Sequence, residues 1–385
     1  MATNDPDADV VIIGAGLTGL SLACWLAQLA DHNGQAMPRV HLLEPRTTYH
    51  NDRTWCFWDR EDHPFRELIT HRWPQWQVSA GGRRVVQSNP QTPYALLPAD
   101  ALYGYALERI DACPGLSLQQ GVTVEGIEEQ DGGVQVHTSA GTLNARAMVD
   151  TRPPENLPET STTGFWQVFT GIEIHCPDHG YETTTARLMD FQACDDHPCF
   201  VYLLPKDAHH LLVEWTAFQS HRDNQGYRAQ LEHWLASEGI KDYRVIRSES
   251  SMLPMIPISD ERRSGRVIKA GVGAGWMRAA TGYHFASCQR GSMLLAQQIL
   301  AASASNQWHL TPPNVRSRWL EWMDRVFLRA LQRHPDQAPQ WFLSLFSRTT
   351  APQMGRFMND QPNLRDALAI ASALPPGPFL KAALV

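Results

Sequence analysis

Asp9-Val-Val-Ile-Ile13 is an apolar run of strand length, the pattern of a strand buried on both faces. Gly14-Ala-Gly16-Leu-Thr-Gly19 follows it, and Leu20 to Ala30 then carries helical spacing and good helix formers. Val40-His-Leu-Leu-Glu44 is a second short apolar run, closed by an acid. Strand, glycine turn, helix and strand make a βαβ unit. Residues 60 to 98, rich in Trp, Pro and Arg, read as irregular or short-stranded. The pattern predicts a helix from Pro98 to Cys113 and strands over Leu116 to Ile127 and Gly133 to Asp150, with a hairpin signal at Ser139-Ala-Gly141. Pro153-Pro154 stops regular structure and marks a boundary.

From residue 164 to 256 the pattern is mostly that of strands, among them Phe165 to Ile174, Cys199 to Leu204 and His210 to Ala217. One helix, about Asp223 to Glu238, interrupts them. Arg266 to Ala270 is another short apolar strand, before a Gly-rich loop and a helix from Phe285 to Ala302. The remainder reads as helical, with loops at Pro335, Pro352 and Pro375. The expected organisation is a discontinuous α/β dinucleotide-binding domain (1–60, 98–152 and 257–310), a strand-rich substrate domain (61–97 and 153–256) and a helical cover (311–385).

Composition narrows the function. The 385 residues are 43% apolar and 19% charged, which excludes wholesale disorder. The formal charge of −7 makes a poor non-specific binder of nucleic acid. Thirteen Trp and thirteen Phe point to a large apolar cavity or a membrane-facing surface. The seven Cys are irregularly spaced without a CxxC, so neither a disulfide framework nor a metal site is expected, and a reducing cytoplasm fits. The acidic N-terminus is no signal peptide. Val10 to Ala30 nearly has the length of a membrane span, but its three spaced glycines read as strand, turn and helix.

Four segments carry candidate chemistry. Gly14, Ala15, Gly16 and Gly19 lie between strand and helix, where backbone N–H groups can approach a pyrophosphate, and Glu44 is placed to accept from ribose hydroxyls. Gly271-Val-Gly273-Ala274-Gly275 through Thr281-Gly282 is a second strand-to-helix turn. Two such turns resemble the FAD-binding fold of the glutathione reductase and aromatic hydroxylase type, although the acidic Gly-Asp usual in the late turn is missing here. Arg53 and Thr54 stand in Asn51-Asp-Arg-Thr-Trp-Cys-Phe-Trp58, which either lines a ligand pocket or packs a core. Glu214 lies in Leu211-Leu-Val-Glu-Trp-Thr216. It either points to water from an edge strand, or shares the face of Leu212 and Thr216 in an apolar enclosure that keeps it protonated. Asp190 in Met189-Asp-Phe191 has a similar pattern.

Together these pieces resemble the bacterial flavin-dependent lycopene cyclases over nearly the whole chain. The resemblance rests on VVIIGAGLTGLSLA, NDRTWCFW, LMDF, FVYLLP, LLVEWT, MLPMIP and GAGWMRAATGYHF. It implies closure of a six-membered ring at each end of lycopene, through monocyclic carotenes to β-carotene, without net electron transfer. It implies reduced FAD, NAD(P)H as reductant, and peripheral attachment to the inner face of the cell membrane, with other carotenoid-pathway enzymes as potential neighbours. Glu214 matches the family's essential acid, and Asp190 is the second acidic candidate. Gly14, Ala15, Gly16, Gly19 and Glu44 match the ADP-binding motif. Arg53, Thr54, Gly273, Ala274, Gly275, Thr281 and Gly282 match flavin-side positions. Trp319, Trp322, Met323, Phe327, Trp341, Phe342 and Phe346, with Arg316, Arg318 and Arg325, are the candidate membrane contacts. An FAD monooxygenase or an isoprenoid reductase acting on a hydrophobic substrate is the alternative.

Overall fold

A computed structural model describes residues 6–157, 164–194, 197–258 and 264–384. The first sheet orders its strands Leu116–Gln120, Val40–Glu44, Ala8–Ile13, Gly141–Asp150, Gly133–Thr138 and Val124–Gln130. The first four run parallel, and Val267–Lys269 adds a parallel strand beside Met148 to Asp150. Helices Leu17–Asn33 and Phe285–Ser305 pack together on this sheet, joined by buried bonds from Gln289 to Ser21 and from Trp25 to Gln289. This is the α/β, Rossmann-type layering expected from the two glycine turns.

The predicted strand Leu116 to Ile127 is broken in two, because Gly121 turns at φ +73°. The predicted helix Leu20 to Ala30 begins earlier and ends later, at Leu17–Asn33, where Gly34 closes it in a left-handed conformation.

The second sheet has the order Arg244–Met255, Phe165–His175, His210–Gln219, Cys199–Pro205, Thr185–Gln192, Gln75–Ala80 and Arg83–Ser88. All its pairings are antiparallel except Thr185–Gln192 with Gln75–Ala80. Alternation gives each strand two destinations. Val213, Trp215 and Ala217 pack in a core with Leu231, Trp234 and Leu235 of helix Tyr227–Ser237. Leu212, Glu214, Thr216 and Phe218 line a cavity on the other face. A small sheet of Thr54–Trp58, Tyr94–Pro98 and His71–Trp73 also reaches that cavity.

Helices Arg318–Arg333, Ala338–Arg348, Ala351–Met358, Leu364–Ala373 and Pro376–Ala383 follow. Phe342 stacks among Phe191 and Phe218, which attaches these helices to the second sheet. Pro352 lies in the first turn of a helix behind a Thr350–Gln353 capping box, not in a loop as expected. Proline tolerates that position because its missing N–H has no helical partner there.

Two expectations are corrected. Cys194 and Cys199 form a disulfide with Cα atoms 6.2 Å apart, because the pairing of Gln192 with Cys199 folds the chain back on itself. Arg316 is 5% exposed and bonded to Asp360, so it is no surface charge for lipid. Among the described residues no helix is long and apolar enough to cross a membrane.

Candidate active site

The early glycine turn is shaped by close contacts and by a positive φ. Gly14 sits at φ +90°, and a Cβ there would lie 2.7 Å from the Thr151 hydroxyl. A Cβ on Gly19 would lie 2.0 Å from the Gly14 carbonyl oxygen, so only glycine lets helix and turn approach. At Gly16 an added Cβ would meet nothing within 4 Å. Its lack of a side chain thus leaves open space at the N-terminus of helix Leu17–Asn33, where free N–H groups attract an anion.

Glu44, at the end of its strand, accepts from the Ala15 N–H at 2.7 Å and from Arg46 Nε at 2.8 Å. Burial pushes this carboxyl up, but the Arg46 and Ala15 bonds outweigh it, and the net shift is downward. Glu44 is therefore an anion that braces the turn. Arg46 in turn stacks over Tyr49 and Tyr103.

A cavity of about 340 Å³ lies between the second sheet, the small sheet and the late glycine loop. Glu214 and Glu249 share its wall, each 9% exposed. Both pair with Gly171, Glu214 from one neighbouring strand and Glu249 from the other. A Cβ on Gly171 would stand 2.6 Å from Glu214 Cγ, so the bare glycine is what admits that side chain.

Charge then decides which carboxyl holds a proton. Arg247 donates to Glu249 Oε2 at 2.7 Å and to the Thr54 hydroxyl at 2.7 Å. Lys206 binds Glu173 at 2.6 Å, and Arg247 Nε lies 3.6 Å from Glu173. Two cations thus serve Glu249 and Glu173, and neither forms an ion pair with Glu214. Burial first, and the Glu249 charge second, hold the Glu214 carboxyl well above the ordinary glutamate range. A hydrogen bond to Glu249 favours the same protonated form. Burial and the neighbouring carboxyl therefore favour the protonated form of Glu214.

The rest of the wall is aromatic. Trp58 meets Tyr94 and Tyr283 edge-on at 4.8 and 5.3 Å between ring centroids. The Tyr94 hydroxyl lies 3.0 Å from those of both Tyr202 and Tyr283. Burial raises all three phenols above their usual range, so they stay neutral. His284 is held down to about 4 by burial and is neutral too.

The sequence profile of the family described as lycopene cyclase protein matches residues 9–384. The chain belongs to the lycopene cyclase family. No curated protein sequence matches it significantly. Among solved structures, this lycopene cyclase family member is similar to a geranylgeranyl bacteriochlorophyll reductase-like protein from Thermoplasma acidophilum. That likeness has TM-score 0.69 and 12% identity, over 97% of this chain and 98% of the other. It is also similar to p-nitrophenol 4-monooxygenase from Pseudomonas putida DLL-E4, with TM-score 0.59 and 16% identity over 98% and 96%. Aklavinone-11 hydroxylase, solved in a ternary complex with FAD and aklavinone, gives TM-score 0.59 and 15% identity over 98% and 73%. These likenesses establish the fold.

The site of this family member gathers some of the predicted residues and leaves others apart. Arg53, Thr54, Glu214, Thr281 and Gly282 all line the cavity. Gly273 is instead a packing residue, since a Cβ there would lie 2.5 Å from the Arg152 carbonyl oxygen. Ala274 is buried in the core of the first sheet, and Gly275 turns at φ +71° outside the cavity wall. Asp190 accepts from the Ser79 hydroxyl at 2.6 Å and is not among the cavity-lining residues. Glu249 was missed, although Arg247, Glu249, Ser251 and Leu253 alternate along one strand and polar residues on such a face signal a polar site. The three tyrosines stand in separate segments with no local signal.

Proposed function

We propose that this chain closes six-membered rings at the ends of lycopene, through monocyclic carotene to β-carotene, as a redox-neutral isomerisation. The observation that carries the reading is Glu214, a carboxyl kept protonated beside Glu249 in a cavity walled by aromatic rings. A protonated acid of this kind gives its proton to the terminal double bond of the hydrocarbon. The neighbouring double bond then attacks the tertiary cation, and the ring cation loses a proton. Water destroys such cations, so an apolar wall is a condition of the chemistry. The faces of Trp58, Tyr94, Tyr202 and Tyr283 are electron-rich and neutral, and they favour a cation beside them. Glu249, held by Arg247 and Thr54, sets its carboxyl near the same point.

FAD fits the cradle by two features of the chain: the open space at Gly16, and the cavity wall formed by Thr281, Gly282 and neutral His284. Gly14, Ala15, Gly16 and Gly19 would hold its pyrophosphate, and Arg53, Thr54, Thr281 and Gly282 its ring end. In reduced form it supplies a fixed negative charge without giving electrons to product. NAD(P)H is the proposed source of that reduction.

The substrate has almost no solubility in water, so we place the protein peripherally on the inner face of the cell membrane. Trp319 and Trp322 support this: they lie three residues apart on one helix and are 40% and 49% exposed. Trp341, Phe342 and Phe346 are buried and belong to the interior. The function is tested by Glu214→Gln in lycopene-loaded vesicles. The variant is expected to bind FAD normally and to form no cyclic carotene, and retained turnover overturns the assignment. Products carrying added hydrogen in the parent protein would favour the isoprenoid reductase.

A further inference from the structure

The first cavity is not alone. A second chamber of about 290 Å³ lies among the C-terminal helices, and both chambers are lined by Ala280, Thr281, Phe342 and Met358. These four residues are the boundary the two chambers share, and we take it as the neck between them. The second chamber is walled by Val326, Phe327, Leu345, Ile370 and Phe379 among other apolar side chains. Its charges cancel internally. Arg278 is bonded to Asp324 at 2.8 Å, with the two side chains 1% and 4% exposed, and it stacks over Phe357 at 4.1 Å. A site so lined offers no unpaired group to a polar ligand and suits an uncharged hydrocarbon.

The far side of the chamber reaches the surface. Trp322 and Leu380 both line it and are 49% and 64% exposed. They come from helices Arg318–Arg333 and Pro376–Ala383, which pack side by side. Leu384 continues the apolar exposure just beyond the second helix.

We propose that the second chamber is a binding site for the long unsaturated chain of the substrate, which enters from a lipid surface between Trp322 and Leu380 and passes the neck end first. This rests on the cyclase reading, and it adds where the unreacted part of the molecule lies. A consequence follows from the shape. One end at a time reaches Glu214, so a singly closed molecule must withdraw before its other end can react. Monocyclic product is therefore released between the two closures.

The test uses the full-length protein and a probe independent of turnover, the methyl ester of a conjugated C18 tetraene fatty acid, whose directly excited fluorescence rises in apolar sites. Wild type and Glu214→Gln are expected to bind it alike. Ile370→Phe, which fills the second chamber, is expected to weaken binding ~10-fold or more and to slow lycopene conversion in vesicles of phosphatidylcholine and phosphatidylglycerol. Ala383→Phe, at the half-buried margin, serves if Ile370→Phe does not fold. Unchanged binding by a folded chamber variant, or no binding by wild type, overturns the chamber. Chamber-dependent binding with no cyclic product from wild type overturns the cyclase reading and leaves the hydrocarbon site standing.

Discussion

Glu214 and Glu249 meet because both are cross-strand partners of Gly171, the one residue between them with no side chain. Two buried carboxyls at one point do not both ionise. Arg247 and Thr54 bond to Glu249 and not to Glu214, and burial favours the protonated form of Glu214. The acid is thus made by strand register and by the placing of one guanidinium.

Glu214→Gln keeps the shape and removes the transferable proton. Turnover is expected to fall by ~10³-fold or more, with FAD affinity and the flavin spectrum unchanged. Stability should respond with a definite sign. The folded value of Glu214 is raised above its ordinary 4.5, so its contribution is fully present below that value and is lost as pH rises through the raised one. Wild type should therefore lose more Tm than Glu214→Gln between pH 5 and pH 9, a range spanning ~4 units above the ordinary glutamate pKa.

Glu249→Gln removes the neighbouring charge and frees Arg247. The Glu214 value then falls, since burial remains and repulsion does not. Because the protonated form is the active one, the alkaline loss of kcat is expected to move to lower pH. A pH–rate profile with its alkaline limb unmoved would remove Glu249 from the acid pair.

Gly171→Ala tests the register argument. The new methyl would stand 2.6 Å from Glu214 Cγ and displace it. Stability is expected to fall by about 1–3 kcal/mol, as for other overpacked sites, while activity falls out of proportion. Comparing Tm with kcat at a temperature where the variant is folded separates the two effects.

Gly16→Val tests the cradle apart from folding. The backbone there is extended, with φ −84° and ψ −160°, and an added Cβ meets nothing. Tm without FAD should hold, while FAD affinity falls ~10-fold or more. Gly19→Ala, whose Cβ would lie 2.0 Å from a carbonyl oxygen, should instead destabilise the protein outright.

Much of this was legible in the chain, for local reasons. Gly19 must be bare because it packs on the carbonyl of Gly14, five residues earlier in the same turn. Alternation along Leu211–Thr216 grouped Glu214 with Leu212 and Thr216, and these three line the cavity. What escaped is non-local. Glu249 gains its meaning only from two registers across Gly171. Tyr94, Tyr202 and Tyr283 are brought together from segments as much as 189 residues apart. Thr185–Gln192 lies in the stretch read as mostly strands, but its register shifts between Arg187 and Asp190 and blurs the alternation that would have given its bounds. Arg316 looked like surface charge because its partner Asp360 lies 44 residues on.

The most direct measurement is anaerobic. Purified protein, lycopene in liposomes and chemically reduced FAD are combined without nicotinamide, and product mass and absorption are recorded. The account predicts unchanged mass with a blue-shifted, less structured spectrum, from an acid and a fixed charge that consume no electrons. Added hydrogen, or a product that forms only when air is admitted and carries oxygen, would contradict it.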